Sequence, residues 1–193
     1  MLFFIAILLA FTLATLYGII TGKKFTLLNT RLKGVWLVGA AFVFQTGTRF
    51  LGMLGINLVV KYTLAIQAVV FGLVFMCFWL NRRYIGLWIV GVGASLNALV
   101  MLLNGGRMPV SFRAMQRAGI DKIGNMILDG ADNKHIIINK STKLTFLADV
   151  IYLPGFLGEG IRVMSAGDVL VAFGLFIFVF ELCSSSMEPA KRI

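Results

Sequence analysis

The feature that most constrains this chain is a set of five apolar blocks, each near the ~20 residues that a helix needs to cross a bilayer. They run from Leu2 to Ile20, Val35 to Leu54, Leu58 to Leu80, Ile85 to Leu103 and Ala166 to Cys183. Strands cross a bilayer only as a closed barrel of alternating apolar and polar residues. These blocks are continuously apolar and rich in Leu, Ala, Gly and Phe, so they are read as helices. Hydrophobic residues make up 59% of the chain and charged residues 13%, against roughly half and a quarter in a soluble domain. An ordinary soluble fold is thereby excluded. The expected architecture is all-α, a polytopic integral membrane protein forming a single transmembrane domain over residues 1–193. Met1 to Ile20 lacks a charged n-region and an A-x-A-type site, and Lys23 and Lys24 follow the apolar run, so the first block is read as a mature helix rather than a signal peptide.

Orientation follows from the basic residues, because short loops rich in Lys and Arg stay cytoplasmic. Lys23, Lys24, Arg31 and Lys33 lie between blocks one and two, Arg82 and Arg83 between three and four, and Lys191 and Arg192 at the C-terminus. All fall on one side, which places the N-terminus outside, the C-terminus inside, and the stretch from Asn104 to Ser165 outside. Long loops translocate largely regardless of their own charge. The net charge of +10 then needs no nucleic acid, since anionic lipid headgroups are natural counter-ions.

Within the long segment 104–165, Pro109 stands where a helix can begin. Met108, Phe112 and Met115 share a face opposite Arg113, Gln116 and Arg117, with Gly119 as a stop, the pattern of an interfacial amphipathic helix. Lys134 to Lys140 reads as a short strand. Leu144 to Leu153 is a ten-residue apolar run closed by Pro154-Gly155, too short to span and therefore expected to be a re-entrant or interface-lying helix.

Helix-to-helix contacts are suggested by small residues. Ala6, Ala10, Ala14 and Gly18 recur every four residues in block one, a stripe that lets another helix approach closely, within the protein, in a second membrane protein or in a homo-oligomer. The alternative is mere abundance of Ala. An internal echo links Gly34-Val-Trp-Leu-Val-Gly39, which opens block two, with Gly86-Leu-Trp-Ile-Val-Gly91, which opens block four; at the same offset Gln45 matches Asn97. Blocks two and three, and four and five, would then be parallel hairpin repeats of the kind transporters use. Frequent Gly and interfacial Trp in membrane helices are the other explanation.

Polar residues cluster by depth. Gln45 and Arg49 lie one turn apart on block two, Gln67 in the outer half of block three, and Asn97 and Asn104 on one face of block four, with Arg107 just beyond and Asp168 opening block five. Polar side chains in lipid are costly and face a partner or an aqueous cavity. One reading is an outward-facing pocket for an anionic or zwitterionic group, built from Arg49, Gln45, Asn97, Asn104, Gly105, Gly106, Arg107 and Asp168. The other is that the amides bond between helices while Arg49 and Arg107 snorkel to the interface.

In Asn104-Gly-Gly-Arg-Met-Pro-Val-Ser111, the two glycines can expose N–H groups to an anion with Arg107 as a bidentate contact, or simply end a helix. In Ser165-Ala-Gly-Asp168 the acid either pairs with Arg107 or Arg49, or completes a capping box with Ser165. His135, the only histidine, can be joined on paper with Asp149, Glu159 and Ser141, but no motif fixes a triad, and a solvated loop histidine is the simpler reading. Glu181 is expected to reach cytoplasmic water or a basic loop residue. Cys77 and Cys183 both lie toward the inner side, with no C-x-x-C or Cys/His cluster, so neither a disulfide nor a metal site is expected. No cofactor is implied.

Asn104 to Ser111 and Ser165-Ala-Gly-Asp-Val-Leu-Val-Ala-Phe-Gly174, together with the Gly-Lys-Lys turn after block one and Leu147-Ala-Asp149, resemble signatures of a family of small bacterial multi-pass membrane proteins of unknown function. The resemblance implies a bacterial protein of the cytoplasmic membrane and no activity.

The leading functional expectation is a protein that binds or translocates an anionic lipid headgroup or small anion through the outer polar pocket. The alternative is a non-catalytic subunit or assembly factor of a membrane complex. An enzyme of the outer face rests only on Asp149, His135 and Asp168 lying on one side, and the reading leans against it.

Overall fold

The computed structural model describes residues 1–25, 32–128, 132, 134–153, 163–185 and 187–189. The apolar blocks become long helices: α1 (Leu2–Thr21), α2 (Val35–Met53), α4 (Thr63–Leu80), α5 (Ile85–Leu103) and α8 (Ala166–Ser185). Among the described residues, α1, α4, α5 and α8 are long and apolar enough to cross a membrane, which makes an all-α polytopic membrane protein. The fifth, α2, carries Gln45, Thr46, Thr48 and Arg49 in its second half and is the least apolar by composition. The third block is divided: α3 (Asn57–Lys61) stops at Tyr62 and α4 begins at Thr63.

Helix polarity in lipid is handled locally. Thr12, Thr15 and Thr21 donate their hydroxyls to the carbonyls of Leu8, Phe11 and Tyr17 at 2.7–2.8 Å, so none of these three needs water. α1 closes on Gly22 in the left-handed conformation, whose N–H turns back to the last carbonyls.

The helices pack as a row, α2 on α4, α4 on α5, α5 on α8 and α8 on α1. The small-residue stripe is used within the chain: Ala10, Ala14 and Gly18 are buried in α1, where it packs on α8, and Tyr17 meets Phe180 of α8 with ring centroids 6.2 Å apart. The consecutive long helices α2 and α4, and α5 and α8, are in contact.

The α5–α8 contact is the closest of these, and glycines make it so. A Cβ at Gly86 would lie 2.2 Å from the Phe178 nitrogen, one at Gly174 2.5 Å from the Val90 nitrogen, and one at Gly93 2.6 Å from the Gly167 carbonyl oxygen. At the end of the bundle that carries the basic loops, Glu181 of α8 accepts the N–H of Ile85 at 3.0 Å and of Gly86 at 2.8 Å. It thus caps the N-terminus of α5 across the interface, a better use of a carboxylate than the water or basic residue expected from sequence, because the first helical N–H groups lack internal partners and favour negative charge. Glu181→Ala is expected to lower stability by about 1–2 kcal/mol in thermal unfolding in detergent, with Glu181→Gln keeping part of it; an unchanged midpoint for both would refute the cap. At the same end, Asn81 accepts the N–H of Lys33 at 2.8 Å and donates to its carbonyl at 2.6 Å, and β1 (Lys23–Phe25) pairs antiparallel with β6 (Met187–Pro189).

The segment between α5 and α8 forms a small cap. β2 (Met108–Val110) pairs in parallel with β3 (His135–Ile137), Asp149 bridges Val110, and β4 (Ile151–Tyr152) pairs antiparallel with β5 (Val163–Met164). Helices α6 (Phe112–Arg117) and α7 (Asp121–Leu128) enclose Val110, Met115 and Ile127 with Ile120, Ile123 and Ile137. Val100, Met101 and Met108, packed by Phe71, Leu144 and Leu147, join this cap to the bundle.

Two expectations are corrected here. Pro109 lies in β2, and α6 starts only at Phe112, because Ser111 is the N-cap, its Oγ accepting the Ala114 N–H at 3.3 Å. The run Leu144 to Leu153 is no re-entrant helix. Leu144 takes a left-handed φ of 54°, a single 3-10 turn covers Thr145–Leu147, and the rest is extended, with Ala148 fully buried and Phe146 exposed. The apolar run is shared between two surfaces instead of lying along one helix face. The strand expected near His135 is present as β3.

Candidate functional site at the cap end of the bundle

The start of α8 carries the capping box that local spacing predicts. The Asp168 N–H donates to Ser165 Oγ at 2.9 Å, and the Ser165 N–H donates to Asp168 Oδ2 at 3.0 Å. Asn97 of α5 closes the ring: its Nδ2 donates to Asp168 Oδ1 at 2.9 Å and its Oδ1 accepts the Ser165 hydroxyl at 2.9 Å. Ser165 is fully buried. A Cβ at Gly167 would lie 2.0 Å from Asn97 Oδ1, so the glycine is what admits the amide. Asp168 is thereby committed to Asn97 and Ser165.

Asp149 enters this neighbourhood from the cap. Its backbone is fixed to β2, the N–H donating to the Pro109 carbonyl at 2.9 Å and the carbonyl accepting the Ser111 N–H at 2.9 Å. Its side chain is buried, and Oδ1 has no hydrogen-bond partner among the described residues. Burial, with the charge of Asp168 adding to it, pushes its carboxyl up to about 8 against the pull of Lys134. At neutral pH the group is therefore a neutral carboxylic acid.

The turn from Asn104 to Arg107 is built for closure. Asn104 Nδ2 donates to the carbonyls of Val100 at 2.8 Å and Lys143 at 3.0 Å, while Oδ1 accepts the Lys143 N–H at 3.0 Å. Gly105 and Gly106 have φ of 71° and 83°, and the Gly106 N–H donates to the Met101 carbonyl at 2.7 Å. That N–H is spent on helix termination and is not free for an anion. A Cβ at Gly106 would lie 2.7 Å from the Leu64 nitrogen, so this turn seats directly on the start of α4. Arg107 is half-buried, and its guanidinium has no ion pair or hydrogen bond among the described residues.

Gln45 and Arg49 belong to a different group. Gln45 lines a small void of about 10 Å³ with Thr48, Val59, Thr63, Ile66 and Gln67, and its Oε1 is buried without a partner among the described residues. Such a polar void is about the size of one water. Arg49 is exposed on α2. Of the eight residues expected to share one pocket, Gln45 and Arg49 therefore lie on α2, Asn97 and Asp168 meet between α5 and α8, and Asn104 to Arg107 form the turn after α5.

The histidine has a partner that sequence reading did not weigh. His135 Nδ1 lies 2.9 Å from Asp132 Oδ2. Burial opposes ionisation of Asp132, but the His135 ring and the N–H groups of Lys134 and His135 outweigh it and hold the carboxyl well below its usual range. Ser141 Oγ donates to Asn139 instead, and Glu159 lies outside the described residues, so the paper triad is not assembled. Among the described residues no three His, Cys, Asp or Glu side chains gather as metal ligands, and Cys77 and Cys183 are buried free thiols.

Residues 29–180 match the model of a family of unknown function, DUF5317. The chain is also similar to an "uncharacterized protein" of Thermotoga maritima, 31% identical over 182 residues, which cover 94% of each chain. No solved structure matches.

Proposed function

The chain belongs to the DUF5317 family, and we propose that it is a bacterial cytoplasmic-membrane protein that binds or translocates an anionic group, a lipid headgroup or a small anion, at the cap end of its helix bundle. The cap is extracytoplasmic in this reading, since Lys33, Arg82 and Arg83 mark the other end and short basic loops are retained inside. The observation that carries the proposal is an imbalance of commitments. Among the described residues near the cap the acids are occupied: Asp168 by Asn97 and Ser165, Asp132 by His135, Asp149 by its own proton, and Asp121 in the first turn of α7, where it complements the helix dipole; Asp129 and Glu159 lie outside the described residues. The cations Arg107, Arg113, Lys122, Lys140 and Lys143, and Arg49 on α2, have no side-chain partner among the described residues. Unpaired guanidinium and ammonium groups at a membrane surface attract anionic groups, each contributing about 1 kcal/mol.

Arg107 is the residue to test, because it is half-buried beside the fixed Asn104 turn and can hold a carboxylate or phosphate through two N–H groups. Native mass spectrometry in mild detergent should show a retained anionic species on the wild type that Arg107→Gln loses by about fivefold to tenfold. Identical adducts on both proteins would remove Arg107 from the site. Co-elution of a discrete protein in place of an adduct would favour the rival reading of a non-catalytic subunit.

A further inference from the structure

The opposite end of the bundle holds a cleft that the reading above does not use. Between α4 and α5 lies a cavity of about 420 Å³ whose walls include Phe75, Phe78, Trp79, Leu87, Trp88 and Val92. Its volume falls in the range of small-molecule sites. Along α5 it extends from Leu87 to Leu96, roughly 13 Å of helical rise, which is close to the depth of one leaflet in a hydrocarbon core ~30 Å thick. Beside it lies a second, polar cavity of about 340 Å³ lined by Lys33, Asn81, Arg82 and Arg83, and both cavities share Trp79 and Arg82.

Arg82 stands at the junction and is held there. Its Cζ lies 5.0 Å above the Trp79 ring, and its carbonyl accepts the Trp88 indole N–H at 2.7 Å. The guanidinium has no acidic or hydrogen-bonded partner among the described residues. Glu181, on α8, is occupied by the N–H groups of Ile85 and Gly86. Arg83 packs on Tyr84, and Lys33 is tied down only through its backbone. An apolar slot one leaflet deep thus ends at a cationic shelf that has no acidic partner among the described residues and is flanked by two tryptophans, the residue type that favours the headgroup level.

We propose that this cleft binds an anionic glycerophospholipid from the leaflet at the basic-loop end, with an acyl chain between α4 and α5 and the phosphate on Arg82, Arg83 and Lys33. Charge complementarity selects an anionic headgroup over a zwitterionic one, and the apolar slot selects a lipid over a free anion.

The test uses delipidated full-length protein titrated with phosphatidylglycerol or phosphatidylcholine and read by native mass spectrometry. Wild type should retain phosphatidylglycerol about tenfold better than phosphatidylcholine. Arg82→Gln, an exposed position, should reduce phosphatidylglycerol to the phosphatidylcholine level. Gly91→Leu should lower retention of both lipids, since a Cβ at Gly91 meets only Phe78 Cδ2 at an ordinary 3.9 Å and the larger side chain fills the slot without disturbing the backbone. Arg107→Gln should leave this preference intact, which separates failure here from failure of the site at the cap. Equal retention of the two lipids by wild type would overturn the proposal. So would undiminished phosphatidylglycerol on Arg82→Gln, or competition by inorganic phosphate together with normal binding to Gly91→Leu.

Discussion

Gly86→Leu should abolish the folded monomer, while Gly39→Leu should leave it nearly unchanged. At Gly86 a Cβ would meet the nitrogen, Cα and Cβ of Phe178 at 2.2, 2.5 and 2.6 Å, whereas at Gly39 nothing lies within 4 Å. Backbone atoms cannot rotate away as a side chain does, so α5 and α8 must separate along their length. Separation also breaks the Glu181 cap at one end and the Asn97–Asp168 bond at the other, leaving polar groups without partners in an apolar medium. The expected loss is roughly 3 kcal/mol or more, seen as aggregation in size-exclusion chromatography or a large fall in thermal midpoint. If both leucine variants behave alike, close α5–α8 packing is not what holds the bundle.

Asp149→Asn should remove a slope from the pH dependence of stability. Burial, assisted by the charge of Asp168, sets the native carboxyl at about 8, against roughly 3.9 for an unfolded aspartate. Between these values the unfolded chain has released the proton and the native chain still binds it, so native stability falls as pH rises. The stabilisation is fully present below about pH 4 and gone above about pH 8, a total on the order of 5 kcal/mol. Asparagine keeps the shape without the titration. The variant should therefore gain on wild type steadily from pH 5 to pH 8 in thermal unfolding, and parallel curves for the two proteins would show that Asp149 titrates normally.

The long helices were readable because hydropathy in lipid acts over whole turns and needs no knowledge of neighbours. The Ser165–Asp168 box was readable for a related reason, since both partners lie within one turn. Depth along a helix could be read in part, since Asn97 and Asp168, expected at one level, are hydrogen-bonded. Direction around the helix could not. Gln45 turns to Thr63 and Gln67 across α2 and α4, whereas Asn97 turns to α8, because the row order of the helices is set by the α5–α8 glycines, whose meaning appears only with the facing backbone in place. Glu181 and Asn81 were misjudged or passed over on the same account: their partners are backbone N–H groups distant in sequence. In the cap, the apolar run Leu144 to Leu153 gave no sign of being divided between a 3-10 turn and a strand. Asp149, an acid set between Ala148 and Val150, was the one local hint that this run is not a plain apolar helix.

The row of helices also sets an order of events during synthesis. α1 leaves the ribosome before the other helices described, yet the side of it carrying Ala10, Ala14 and Gly18 is covered by α8, the last of them. Until α8 arrives, that groove lies open to lipid or to any passing helix with a small-residue face. The finished bundle therefore closes an early helix on a late one, and mispairing of α1 in the interval is the hazard this topology carries.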